Sequence, residues 1–305
     1  MRFTPLKEAL SRIICNPCPS VARIPALQDV SSARSLLFVA LAFWAASFLA
    51  LGETAPTINV LYRVTMVESR FDRGSIFSVD VDHREYWITA KHILTGAKHP
   101  PFGSVSEKSV SLRVLNPRGQ AEQWLPESFS VLDPGKDIDI VVLASAQPIL
   151  PTSAPDSVAT DAVGLMIGSE CEFLGFPYGT GWLANRGKQG QFWTAFAKHC
   201  TVSGSISDEP KLWILDGINN EGFSGGPVIF RAGSEQKIFA VVSGYYAEPT
   251  DVIPSAARKS APKQKAATRM KVNLNSGFIY AYDIAAAIKA IQRSPIGPIR
   301  TGKAP

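Results

Sequence analysis

The run Gly222-Phe223-Ser224-Gly225-Gly226-Pro227 is where residue types and spacing point most directly to chemistry. Small residues around a serine let the backbone turn sharply and bring N–H groups to bear on one spot. The N–H groups of Gly222 and Ser224 would hold a developing oxyanion there, and the glycines would admit a substrate close to the backbone. The plainer alternative is a Gly-Pro hairpin turn. A second segment, Tyr86-Trp-Ile-Thr-Ala-Lys-His92-Ile-Leu94, runs as a strand into Thr89 and Ala90 and places His92 at its end. A third, Lys136-Asp-Ile-Asp139-Ile-Val-Val-Leu143, opens a buried strand with an acid. Asp139 there would fix an imidazole tautomer and stabilise the imidazolium. Asp137 competes for the same part.

Taken together, the three segments resemble the chymotrypsin-like (trypsin-like) serine peptidases. The chain order is His, Asp, Ser, as in that family and unlike subtilisins or α/β-hydrolases. The intervals are 47 residues from His92 to Asp139 and 85 from Asp139 to Ser224. Gly74-Ser-Ile-Phe77 is similar to the family's glycine-rich strand before the histidine. Gly175-Phe-Pro-Tyr-Gly179 is similar to a segment of its bacterial members, and Val242-Ser-Gly-Tyr245 to its substrate-binding strand. The resemblance implies two six-stranded antiparallel β-barrels with a C-terminal helix, the first supplying His and Asp and the second supplying Ser. It implies a Ser224 nucleophile, His92 as general base and then acid, Asp139 as its orienter, and an acyl-enzyme. A peptide substrate would lie extended along Ser243, Gly244 and Tyr245. The alternative from another class is a catalytically silent relative that binds peptides or scaffolds a partner.

Two departures qualify the resemblance. Trypsin and its vertebrate relatives carry Asp before the nucleophile, and it pairs with a freed N-terminus on activation. Phe223 stands there in this chain, so activation by that ion pair is not expected. Ile218 occupies the position expected for the base of the specificity pocket, which speaks for a neutral or small aliphatic preference. Asp216, close by, is the residue that would reverse it. The sequence ends soon after the expected helix, which implies a bacterial-type relative without a PDZ domain.

These residues need elements to position them. Residues 57–66, 74–81, 86–89, 110–115 and 138–144 are rich in β-branched and aromatic residues and predict strands. Residues 145–165 predict a linker. Strands resume over 170–176, 191–203, 211–215, 227–231 and 237–245. A long surface loop is expected over 248–271. Ile284, Ile288 and Ile291 share one face of an amphipathic helix read over 281–293. The organisation is a leader over 1–52, a first barrel over 53–150 and a second barrel with its helix over 151–305.

Composition narrows the classes. Of 305 residues, 46% are hydrophobic and 19% charged, too apolar for a disordered chain. The 23 glycines and 22 prolines suit many short strands joined by turns. The net charge is +5, but five basic residues against two acidic ones lie in residues 1–35. Six basic residues against Glu248 and Asp251 lie in 248–271, and the remainder is slightly acidic. Nucleic acid is therefore not an expected partner. The basic stretch 256–270 reads as a solvated loop, or as a contact for an anionic surface.

Residues 36–51 carry no charge, follow Arg34 and precede a small-x-small Ala50-Leu-Gly52 site. That is the pattern of an export signal, or of a single membrane anchor if it is retained. The expected location is the periplasm or the exterior. The long stretch before it points to a true start near Val21 or Val30. Cys15-Asn-Pro-Cys18 lacks a second pair and is read as inert. Cys171 and Cys200 lie on neighbouring strands and would form a disulfide in an oxidising compartment, or stay as two buried thiols. His83, His99 and His199 have no ligand-like spacing, so no metal and no cofactor is expected. Oligomeric state is not encoded in any of these features.

Overall fold

A computed structural model describes residues 55–116, 123–185, 191–251 and 271–300. The leader, Cys15, Cys18 and the basic stretch 256–270 lie outside them. Strands β1 (Val64–Glu68), β2 (Arg73–Val81), β3 (Arg84–Thr89), β4 (Ser109–Leu115), β5 (Trp124–Leu132) and β6 (Val141–Ser145) form a closed barrel in the order β1-β2-β3-β6-β5-β4. A second closed barrel joins β7 (Glu170–Gly175), β10 (Phe196–Asp208), β11 (Lys211–Asp216), β12 (Pro227–Ala232), β13 (Glu235–Asp251) and β14 (Lys271–Asp283). Its order is β10-β11-β14-β13-β12-β7. A hairpin of β8 (Trp182–Asn185) and β9 (Gln191–Thr194) stands apart from both sheets. All pairings between these strands are antiparallel. This is the chymotrypsin-like double barrel, and the helix α3 (Ala285–Arg293) follows it.

Closure gives every strand of each barrel a strand neighbour on both sides over part of its length and fills the interior with one side of every strand. Ile76, Trp87, Val114, Phe129 and Leu143 fill part of the first interior, while Phe77, Val79, Tyr86, Ile88 and Val142 pack with Leu174, Ile229 and Val241 of the second barrel. Phe173, Val202, Leu215, Phe239 and Val242 fill part of the second. Within α3, Ala287 and Ile291 are buried and Ile288 packs beside them, as the helical period requires. Among the described residues no helix is long and apolar enough to cross a membrane.

Several expected boundaries move. Residues 57–66 are not one strand: α1 (Ile58–Leu61) makes a single turn, and β1 begins at Val64. The turn closes through Leu61 N–H to Thr57 O at 3.1 Å and drops Val60 into the core. Burial of that one side chain outweighs the β-propensity of its neighbours. β5 was not foreseen, because Pro126 interrupts an otherwise strand-like run. Pro126 is exposed and lies opposite Arg113 of β4, outside the stretch that pairs with β6. The loop expected from 248 is strand to Asp251, and strand resumes at Lys271. β14 takes residues 281–283 from the expected helix, which begins at Ala285.

β13 is bordered by β12 only as far as Val241. From Val242 to Asp251 its only strand neighbour among the described residues is β14. Ser243, at the start of that stretch, belongs to the site described next.

Candidate active site

His92 sits in α2 (Lys91–Thr95), a single turn directly after β3. Lys91 fixes the turn: fully buried, its Nζ donates to Asp133 Oδ1 and to Gly135 O, both at 2.5 Å. Asp133 and Gly135 begin the segment that leads to Asp139, so one lysine ties the histidine turn to the aspartate loop. Asp139 is 0% exposed. Its Oδ1 accepts the His92 backbone N–H at 2.8 Å, and its Oδ2 accepts His92 Nδ1–H at 2.7 Å. With the proton held on Nδ1, Nε2 is left as the acceptor. Asp137, the rival, is exposed, and its carbonyl accepts the Tyr282 hydroxyl at 3.2 Å. Burial next to Asp139 and Asp137 pushes the Tyr282 phenol up to about 12, burial being the larger cause.

Ser243 joins the two barrels at this point. Its hydroxyl donates to Asp139 Oδ2 at 2.5 Å, and its carbonyl accepts the Ser224 hydroxyl at 3.2 Å. Gly225, next to Ser224, lies so close to the histidine turn that a Cβ would stand 2.8 Å from Ala90 N. The three expected side chains are thus brought to one place. In this state Ser224 Oγ donates to Ser243 O and not to His92.

The loop from Gly217 to Gly222 is held residue by residue. Gly217 N–H donates to Gly277 O at 2.9 Å. Ile218 O accepts Lys198 Nζ at 2.8 Å, and Asn219 O accepts Asn275 Nδ2 at 2.6 Å. Asn220 O accepts Phe223 N–H at 3.3 Å, and Glu221 O accepts Tyr178 N–H at 2.8 Å. Gly222 O accepts Ser75 Oγ at 2.7 Å, and Ser75 N–H reaches Ser224 O at 2.8 Å. Gly222 has φ +99°, and a Cβ there would collide with Phe176 O, so only glycine fits.

A trans peptide points its C=O and N–H in opposite directions. Anchoring Glu221 O on Tyr178 turns Gly222 N–H the other way. Phe223 O accepts Gly226 N–H at 2.9 Å, which does the same for Ser224 N–H. Among the described residues neither N–H of Gly222 nor of Ser224 donates to a protein acceptor. Phe223 lies beneath them at 0% exposure, edge-to-face with Phe173 at 4.8 Å between ring centroids.

The remaining expected residues fall around this centre. Gly244 and Tyr245 follow Ser243 on β13 and are partly accessible. Ile218 is 63% exposed on the loop between β11 and β12. Asp216 is exposed opposite Phe278 of β14. Cys171 and Cys200 are joined in a disulfide between paired residues of β7 and β10, with Cα atoms 5.0 Å apart. His199 Nε2 stands 3.7 Å from Glu172 Oε1, and burial raises the Glu172 carboxyl. Among the described residues no group of three or more His, Cys, Asp or Glu is placed to hold a metal ion.

Sequence reasoning missed Ser75, Lys91, Tyr178 and Lys198 as parts of the site. It placed Ser243 only against substrate and not on Asp139. One local signal existed for Ser75, Lys91 and Tyr178: all three lie inside the segments that carried the resemblance.

No protein-family model matches this sequence, and no curated protein matches it. Several solved structures are similar to this chain. The HtrA-type protease AlgW with a tripeptide is 15% identical, with a TM-score of 0.47, covering 77% of this chain and 60% of that one. An inactive mutant of Rv3671c from M. tuberculosis H37Rv is 15% identical, with a TM-score of 0.44, covering 80% and 90%. The serine endoprotease from Yersinia pestis is 16% identical, with a TM-score of 0.41, covering 78% and 67%. The fold assignment rests on the strand pairing of the two barrels.

Proposed function

We propose that this chain is a serine endopeptidase that cleaves peptide bonds through Ser224, His92 and Asp139. The observation that carries the reading is the double acceptance by a fully buried Asp139 of the His92 N–H and Nδ1–H. That arrangement fixes one tautomer and leaves Nε2 free to take a proton. Ser224 Oγ attacks the scissile carbonyl as Nε2 removes its proton. The N–H groups of Gly222 and Ser224 stabilise the oxyanion, and the imidazolium then protonates the leaving amine. Water, deprotonated by the same nitrogen, releases the acyl group. The substrate strand pairs with Ser243, Gly244 and Tyr245 on the side of β13 that β12 leaves free. Ile218, expected at the pocket base, is itself exposed, so the preference rests on Asp216: exposed and not buried, it offers no buried carboxylate to a basic side chain, which favours a neutral residue before the cleaved bond. A cleavage profile dominated by Lys or Arg would overturn that preference.

The second reading, a silent peptide binder, is favoured by one observation: Ser224 Oγ donates to Ser243 O. Catalytic hydrogen bonds often tighten only with substrate present, so the endopeptidase reading stands first. Export to the periplasm or exterior belongs to the same proposal, supported by the apolar run 36–51 and the Cys171–Cys200 disulfide. The test is covalent labelling by a fluorophosphonate probe beside Ser224→Ala. Labelling that disappears in the variant supports the enzyme; a folded wild type that does not label moves the chain to the silent class.

A further inference from the structure

Lys198 lies on β10, outside every segment that carried the chemistry, yet it reaches the loop that shapes the oxyanion site. Its Nζ donates to Ile218 O at 2.8 Å and to Asn220 Oδ1. It also stands 5.6 Å from the centroid of the Phe223 ring. Asn220 passes the constraint on, because its Nδ2 donates to the Tyr178 hydroxyl at 3.1 Å. Tyr178 is held at φ +53°, a left-handed conformation that an aromatic residue adopts only when its surroundings impose it. From that conformation its backbone N–H grips Glu221 O, the far end of the peptide that carries Gly222 N–H.

We propose that Lys198 is a positioning residue for the oxyanion hole, acting through Asn220 and Tyr178 on the Glu221–Gly222 peptide. The inference rests on the reading of Ser224 as a nucleophile. With Phe223 in place of an acid, no carboxylate beneath the loop can draw in a cation. The cation here comes from the side, on a barrel strand, and needs no released chain end. An ammonium has three donors and no acceptor, so two oxygens of the loop and one ring face suit it. Burial lowers the Lys198 ammonium below its ordinary value. A loop assembled this way is competent as soon as the barrel is folded.

The test is the kinetics of fluorophosphonate labelling at rising probe concentration, expressed per titrated active site, for wild type, Lys198→Met, Asn220→Ala and the double variant. A misaimed donor weakens only transition-state stabilisation. Lys198→Met should therefore lower the limiting labelling rate by about tenfold or more, with a ceiling near the effect of losing one donor. The probe's apparent binding constant and the melting temperature should stay unchanged. Asn220→Ala should give a similar loss, and the double variant should be no slower than the worse single one. Labelling of Lys198→Met at the wild-type rate would overturn the proposal, as would a loss that only tracks the melting temperature or the titre. Additive losses in the double variant would overturn the path through Asn220. If the wild type does not label, the nucleophile reading falls and takes this inference with it; if the wild type labels, only the inference is at stake.

Discussion

Ser243 donates its hydroxyl to the same Asp139 oxygen that accepts His92 Nδ1–H. Asp139 thus carries three donors, and no water is needed to satisfy its buried charge. Ser243 lies on the second barrel and Asp139 on the first, so this pair also registers one barrel against the other.

Ser243→Ala should leave the His92–Asp139 bond in place and remove one charge-assisted hydrogen bond. Such bonds are worth about 1.5–3 kcal/mol. Labelling of Ser224 should slow by about 13- to 160-fold, the rate equivalent of that range. A rate equal to wild type would show that the third donor is dispensable.

Asp139→Asn should be far more severe. An amide can offer a donor to Nδ1 and so select the wrong imidazole tautomer. A loss of about four orders of magnitude in turnover is expected, with the fold retained. Turnover on a peptide substrate and the far-ultraviolet circular dichroism spectrum check the two halves of this statement.

Phe223→Ala should act on stability and activity together. The ring is fully buried against Phe173, and truncation leaves a cavity costing about 3–5 kcal/mol. The urea midpoint should fall by the corresponding amount, and labelling should be lost even where the protein is folded.

Removing the disulfide should be costly in the unfolded-state sense. Cys171 and Cys200 are 29 residues apart, and opening a loop of that length costs about 3–4 kcal/mol in the chain-entropy account. Cys171→Ala with Cys200→Ala should lower the urea midpoint accordingly. A midpoint equal to that of the oxidised wild type would contradict this.

Glu85 offers a prediction with pH. Its carboxyl is fully buried, and burial raises it above the ordinary 4.5. It accepts Trp87 Nε1–H at 2.9 Å and Ile149 N–H at 2.8 Å, which only partly offset the desolvation. A group raised in the folded state contributes stability below its unfolded value and loses it as pH rises through its folded value. Wild type should therefore lose ground to Glu85→Gln as pH rises from about 4.5. Urea midpoints of both proteins at acid and neutral pH decide it; a constant gap would sink the idea.

What was legible in the sequence was local. Gly222 to Pro227 is contiguous, so its turn and its two N–H groups could be read directly. Asp139 and Asp137 are the same residue type; what separates them is that Asp137 falls in the turn at 136–137 and is exposed, while Asp139 lies past the turn, on the approach to β6, and is buried. The network that holds the Gly217–Gly222 loop was not legible at all. Lys198 and Asn220 are 22 residues apart, and Ser75 and Gly222 are 147 apart, so their contacts exist only after both barrels close. A lysine on a strand carries no mark that its ammonium will meet a carbonyl. The strand errors have one cause as well. Pro126 and the β-branched residues near Ile58 are exceptions to propensity, and burial and edge position decide such exceptions.

The one-sided stretch of β13 beyond Val242 has a consequence for handling the protein. Among the described residues no second strand pairs with it on its other side, and a strand bordered on one side can accept an extended chain, including a neighbour's copy of itself. Pro249, within that stretch, contributes no N–H and cannot extend a ladder. A proline within a strand bordered on one side is a device that discourages strand-to-strand stacking of neighbouring molecules in concentrated solution.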